Sequence, residues 1–142
     1  DNVGVMMNFD SVSSVIGHTS VAITAGEQLE RLVHRSLSAA GLCYRTVPGG
    51  TPFTDQFCFS ACGVPTVDVF RPSMAKGRWQ HHCVHDNLDN VHAEPACEII
   101  GAFTTLIARL TTMTRPQFDR SIDQAMAAHL RRSARLLHGL RL

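Results

Sequence analysis

The residues with the clearest chemical potential lie in one polar segment, His82-Cys83-Val84-His85-Asp86-Asn87-Leu88-Asp89-Asn90-Val91. Imidazole and carboxylate groups so close together in sequence are typical ligands of zinc. A ligand histidine usually donates its second ring N–H to a carboxylate or carbonyl oxygen, which fixes the orientation of the ring. We therefore predict that His82 binds a metal ion and that Asp86 orients it. A solvated polar loop is the alternative.

A second candidate ligand, Asp10, ends the apolar run of residues 3–9, which predicts a buried strand. The segment that leads to His82 follows another predicted strand, at residues 64–70. If the two strands are parallel, their carboxyl ends meet at one edge of a sheet, where α/β folds bind ligands. This arrangement predicts Asp10 as a metal ligand. The alternative is that Asp10 only caps a turn with the serines that follow it.

Apolar periodicity and turn residues predict the elements that position these groups. A capping box at Thr24-Ala25-Gly26-Glu27 predicts the start of a helix, and Gly41 predicts its end. Further expected elements are strands at 3–9, 43–47 and 64–70, a short helix at 55–62 and a long helix around 99–110. This alternation predicts an α/β fold with a mostly parallel sheet and flanking helices.

The distribution of charge divides the chain into two parts. Residues 115–142 contain six arginines and two aspartates. Pro116 is expected to open a helix there, with one apolar side formed by Phe118, Ile122, Met126, Leu130 and Leu137. We expect an α/β domain at 1–114 and a basic amphipathic helical tail at 115–142. The tail would pack on its own domain or join two copies into a homo-oligomer.

The composition excludes several classes of protein. A chain of 142 residues with 44% hydrophobic and 18% charged residues is typical of one globular domain. The net charge of +1 argues against nucleic acid as a partner. No apolar run is long enough to span a membrane. The five cysteines are an odd number, which argues against a disulfide scaffold.

Four segments of the chain, taken in order, resemble those of one enzyme family. They are Val5-Met6-Met7-Asn8-Phe9-Asp10, Thr54-Asp55-Gln56-Phe57, Gly63-Val64-Pro65-Thr66 and the segment at 82–91. Together they are similar to the C-terminal half of a di-zinc aminopeptidase of the aminopeptidase Y or bacterial leucyl aminopeptidase type, to which glutaminyl cyclases are related. The resemblance covers residues 3–112 and implies part of a zinc exopeptidase domain with two zinc ions. It implies Asp10 and His82 as ligands of one zinc each, and Asp55 and Asp86 as groups that support the ligands or contact the substrate.

The sequence departs from the family pattern at several positions. Gln56 replaces a histidine, and Cys83 and Asn87 replace threonines. An asparagine at the position of Asn87 also occurs in glutaminyl cyclases. In the family, an upstream half supplies a first histidine, a bridging aspartate and a Glu-Glu pair that includes the general base. This sequence contains no Glu-Glu pair.

The resemblance implies a zinc-dependent exopeptidase that hydrolyses the N-terminal peptide bond of a peptide substrate. The missing ligands and the general base would come from an upstream segment of a longer protein, so the isolated chain is expected to be inactive. A non-catalytic peptidase-like scaffold or binding module is the alternative, favoured by Gln56 and by the missing half. A glutaminyl-cyclase-like acyltransferase is the third interpretation.

Overall fold

The computed structural model describes residues 3–72 and 82–139. Within these ranges the chain forms four strands, four α-helices and a 3-10 turn. The strands are β1 (Met6–Asp10), β2 (Thr19–Thr24), β3 (Tyr44–Pro48) and β4 (Thr66–Phe70), and the 3-10 turn is Leu88–Asn90. The helices are α1 (Glu27–Ala39), α2 (Gln56–Ala61), α3 (Ala93–Thr112) and α4 (Gln124–His138). The predicted α/β class is confirmed.

The prediction of a mostly parallel sheet is wrong, because the sheet is mixed. Its strand order is β1-β4-β2-β3, in which β1 pairs with β4 and β2 with β3 in parallel, whereas β2 and β4 are antiparallel. The sequence analysis missed β2, the strand that changes the direction. Only residues 11–18 connect β1 to β2, and a parallel crossover needs a dozen or more residues, so β2 runs opposite to β1.

The predicted capping box is also wrong. Thr24 is the last residue of β2 and is buried, and the N-cap of α1 is Gly26, which has no side chain to accept a hydrogen bond. The helix itself is confirmed, and its apolar side is buried at Leu29, Val33 and Leu37.

One face of the sheet packs against α1 and α3 and forms the main core. Alternate residues of β2 and β4, among them Val21, Val67 and Val69, point into it because successive side chains of a strand face opposite sides. Phe9 of β1 meets Phe103 of α3 edge to face, with ring centroids 5.1 Å apart. The other buried members of this core are Leu29, Val33, Leu37, Leu42, Ile99, Ala102 and Leu106.

The opposite face of the sheet carries polar residues and is covered by α2, on which α4 packs. A second apolar cluster joins α2 to the tail and consists of Phe57, Ala61, Ile122, Ala127, Leu130 and Ala134. The tail helix begins at Gln124, not at Pro116, because the Asp123 side chain caps it by accepting a hydrogen bond from the Met126 N–H at 3.0 Å. Met126 and Leu137, predicted on its apolar side, are 41% and 52% exposed.

In the described part of the chain, no helix combines the length and the apolar character needed to span a membrane.

Candidate functional site

The carboxyl ends of β1 and β4 meet at one edge of the sheet, as predicted. The two strands are parallel neighbours, and Asp10 lies opposite Phe70 in their register. Asp10 therefore ends its strand beside the point where the chain leaves toward His82. The connection itself, residues 73–81 with His81, lies outside the described residues.

Asp10 is half-buried at this edge, where the Ser11 hydroxyl donates a hydrogen bond to its Oδ1 at 3.0 Å. Ser11 has a φ of 51° and His82 a φ of 58°. Among the described residues these are the two non-glycine residues in the left-handed region, which L side chains rarely adopt. The unusual backbone conformations thus occur directly after one predicted metal ligand and at the other.

Asp86 holds the turn that begins at His82. Its Oδ2 accepts a hydrogen bond from the His82 backbone N–H at 3.4 Å, and the Asp86 N–H donates to the Cys83 carbonyl at 3.0 Å. The predicted orienting role of Asp86 therefore has a described contact at the backbone of His82, whereas the prediction concerned its ring.

The segment after this turn is fastened to the loop that follows Asp10. The His92 N–H donates to the Ser13 carbonyl at 3.2 Å. The Asn90 side chain donates to the His85 carbonyl at 2.8 Å and to Asn87 Oδ1 at 3.2 Å. The Asn87 side chain also caps the 3-10 turn. Both asparagines therefore stabilise the conformation of this loop.

Sequence reasoning missed Arg71, the residue that follows β4. Its guanidinium donates to the Ser14 carbonyl at 2.7 Å, the Thr19 hydroxyl at 2.9 Å and the Gly17 carbonyl at 3.2 Å. These bonds hold the 11–18 loop against the end of β4, at the same edge as Asp10. Its place directly after a strand is the one feature of the sequence that pointed to it.

A chain of hydrogen bonds on the polar face of the sheet was also missed. Asn8 Nδ2 donates to Asp68 Oδ1 at 3.0 Å and to Gln56 Oε1 at 3.2 Å. Gln56 Nε2 donates to Thr54 Oγ1 at 2.5 Å, and Thr54 Oγ1 donates to the Thr51 carbonyl at 3.1 Å. The chain therefore connects β4 and β1 to the loop that precedes α2.

Gln56 and Asp55 are neighbours in sequence with opposite environments. Gln56, which departs from the family's histidine, is 2% exposed and bonded at both ends of its amide. Asp55 is exposed at the start of α2, and its side chain makes no capping hydrogen bond. Asp55 is thus the accessible group of this segment, and Gln56 is the buried structural one.

Asp68 is the buried acid of the polar face, with 1% of its surface exposed. Burial raises the pKa of its carboxyl to about 6, and the negative charges of Asp10 and Asp55 act in the same direction. Hydrogen bonding from the amides of Asn8 and Gln56 opposes these effects. No residue of the described ranges donates a hydrogen bond to Asp68 Oδ2.

The predicted metal ligands supply part of a zinc site. A carboxylate and an imidazole suit this ion, which takes three or four protein ligands. Among residues 3–72 and 82–139, however, no three His, Cys, Asp or Glu side chains lie close enough together to hold an ion. The five cysteines are all free thiols. Asp10 and His82 therefore need ligands from elsewhere.

Comparison with known proteins gives no match: no protein-family model fits the sequence, and neither a curated protein nor a solved structure is significantly similar to the chain. The function has to be inferred from the chemistry of the site.

Proposed function

We propose that this chain is the C-terminal portion of a zinc-dependent exopeptidase, an aminopeptidase that hydrolyses N-terminal peptide bonds. The observation that carries the proposal is the meeting of two segments at one sheet edge. β1 ends at Asp10, and its parallel neighbour β4 ends opposite, at Phe70, before the segment that leads to His82. Ligands of α/β folds bind at such carboxyl ends.

The backbone conformations at Ser11 and His82 support a ligand site at this edge. A left-handed conformation costs a non-glycine residue roughly 1–2 kcal/mol. Such strain persists where the surrounding structure imposes it, and it clusters at ligand sites. The fastening of the His92 N–H to the Ser13 carbonyl keeps the two segments adjacent.

Each residue has a distinct role in this proposal. The Asp10 carboxylate holds one zinc and the His82 imidazole the other, while Asp86 stabilises the turn that presents His82. Asp55, exposed beside the polar face, contacts the substrate. Bound zinc would acidify a water molecule and polarise the scissile carbonyl. The general base and the remaining ligands come from an upstream segment.

A non-catalytic scaffold that binds a partner is the second candidate. Two observations favour it: no three ligand side chains converge among the described residues, and Gln56 is engaged in the hydrogen-bond network. The acyltransferase interpretation rested on Asn87. Because Asn87 caps a 3-10 turn, it has a structural role and gives that interpretation no support.

Elemental analysis of the purified chain after zinc loading and dialysis tests the metal site. We expect bound zinc in the wild type and its loss in Asp10→Ala and in His82→Ala. The exposed residues Asp119 and His129 provide matched controls, since Asp119→Ala and His129→Ala remove the same groups from the tail and should keep the zinc. A wild type without zinc, or zinc retained in both site variants, would favour the scaffold.

A peptidase assay tests the claim that this chain is only a portion of the enzyme. Because it lacks the general base, the isolated chain should release negligible amine from leucine p-nitroanilide, with or without added zinc. A longer protein that includes the upstream segment should be active and should lose activity with a chelator. Strong chelator-sensitive activity of the isolated chain would contradict the proposed division of the site.

A further inference from the structure

Asp68 is a buried carboxyl for which the proposed zinc ligands do not account. It lies in the middle of β4, between two fully buried valines. A buried acceptor without a donor costs about 1–3 kcal/mol, and more when it is charged. Asp is also among the residues that strands disfavour. Packing of the sheet therefore gives no reason for an acid at this place.

The position of Asp68 relates it to the candidate site. In the register of β1 and β4, Asp68 lies opposite Asn8, two residues before the pair of Asp10 and Phe70. Side chains two residues apart share a face of a sheet and are separated by about 7 Å. Asp10, Asp55 and Asp68 are close enough for the first two to raise the pKa of the third. The ion pairs that the structure describes join other residues of the chain, all of them on α1.

The hydrogen-bond chain gives Asp68 a mechanical link to both neighbouring acids. The Thr54 hydroxyl donates its proton to a carbonyl, so it accepts from Gln56, and the Gln56 oxygen must then face Asn8. Both N–H groups of the Asn8 amide are used, and Asp68 Oδ1 is the final acceptor. Asn8 lies two residues before Asp10.

We propose that Asp68 is a positioning residue that strengthens the binding of a divalent cation at Asp10. It anchors Asn8 and Gln56, which neighbour Asp10 and Asp55 in sequence, and it adds a buried negative charge behind them. The inference rests on the proposed function for the identity of the cation, zinc. It extends the site to a residue that does not touch the metal.

The size of the effect follows from electrostatics. One unit charge at about 7 Å from a divalent cation, at the effective dielectric constant of a partly buried site, corresponds to at least a tenfold change in Kd at physiological salt. A charge removed from a distant exposed site is screened and should change Kd by less than about twofold.

Titration of the full chain with Zn²⁺, followed by ¹H–¹⁵N NMR, tests the proposal. Asp68→Asn keeps an oxygen for the Asn8 amide but removes the charge, and Asp68→Ala removes both. We expect Kd to rise about tenfold in Asp68→Asn and further in Asp68→Ala. Glu98→Gln, which removes an exposed charge from α3, should leave Kd within about twofold of the wild type. Zn²⁺ should also shift the side-chain amide signals of Asn8 and Gln56, a response that a purely structural role of Asp68 would not produce.

Asp10→Ala and His82→Ala, titrated in the same way, separate the two proposals. If both weaken binding but the Asp68 variants bind like the wild type, the role of Asp68 is overturned and the zinc site stands. If Asp10 and Asp68 matter and His82 does not, the role of Asp68 stands and the peptidase site fails. A wild type that binds no Zn²⁺ overturns both. Should Asp68→Ala not fold, the Asp68→Asn result decides.

Discussion

The buried carboxyl of Asp68 should make the stability of the protein depend on pH. Its pKa is raised from 3.8 to about 6, so the folded protein holds this proton over a pH range in which the unfolded chain has lost it. The contribution of Asp68 to stability is therefore fully present below pH 4 and is lost as the pH rises to about 6. A shift of this size corresponds to at most about 3 kcal/mol.

Asp68→Asn should remove this dependence, because an amide does not titrate. We expect the free energy of unfolding of the variant, relative to the wild type, to rise by about 2–3 kcal/mol between pH 4 and pH 7. Urea unfolding at several pH values measures the difference. A difference that stays constant over this range would show that the Asp68 carboxyl titrates alike in the folded and unfolded states.

Single residues also show what the sequence could predict. Asp10 and His82 could be proposed because their types suit a metal and their places follow predicted strands. Asp68 could not, since an acid between two valines in an alternating strand is typical of a residue that faces water. Whether that face is covered depends on α2, which lies there through its contacts with β1 and β4. That information is tertiary and does not appear in the local pattern.

Among the secondary-structure elements, the long helices were predicted correctly and β2 was not. Helices α1 and α3 have sustained apolar periodicity, which is a strong local signal. β2 is short, follows a serine-rich loop and ends in the residues interpreted as a capping box. Missing this one strand turned a mixed sheet into a parallel one. The pairing of β1 with β4, on which the site depends, was still predicted, because it required only their common direction.

Two glycines test how closely these elements pack. A Cβ on Gly49 would lie 2.6 Å from the Ile23 carbonyl oxygen and would also collide with the Thr24 hydroxyl, both on β2. Gly49→Ala should therefore destabilise the protein by about 1–3 kcal/mol or more. Gly101 lies on α3 with no atom within 4 Å of an added Cβ, so Gly101→Ala should stabilise by about 0.5–1 kcal/mol. Thermal unfolding of both variants checks the two signs, and a stable Gly49→Ala would contradict the described contact between β2 and the end of β3.

The cap of α4 can be tested separately. Asp123→Ala removes the acceptor for the Met126 N–H and should cost about 1 kcal/mol of unfolding free energy. Asp123→Asn keeps an oxygen at the cap and should stay within a few tenths of a kcal/mol of the wild type. Urea unfolding of the pair measures this. Equal losses in both variants would indicate that the carboxylate charge matters, and not the capping bond.

At the scale of the whole molecule, the tail helix is joined to the segment that carries Asp55. Leu130 is 1% exposed in the cluster formed with α2, and its side chain lies against Gly50, where an added Cβ would be 2.8 Å from Cδ2. At the end of the helix, the His138 ring nitrogen Nε2 lies 2.7 Å from the Pro52 carbonyl oxygen. The same ring contacts the rings of Phe53 and Phe57. The tail thus holds both ends of the 50–57 segment.

This coupling predicts that the tail and the sheet unfold together. Leu130→Ala should lower the free energy of unfolding by about 2–5 kcal/mol, because it leaves a cavity between α2 and α4. Leu136→Ala, at a side chain that is 85% exposed on the same helix, should change it by less than about 0.5 kcal/mol. Hydrogen exchange measured by mass spectrometry should show faster exchange in α4 and in β1 by the same free energy in Leu130→Ala. If α4 alone exchanged faster, the tail would be a separate unit, and residues 50–57 would keep their conformation, and Asp55 its place, without it.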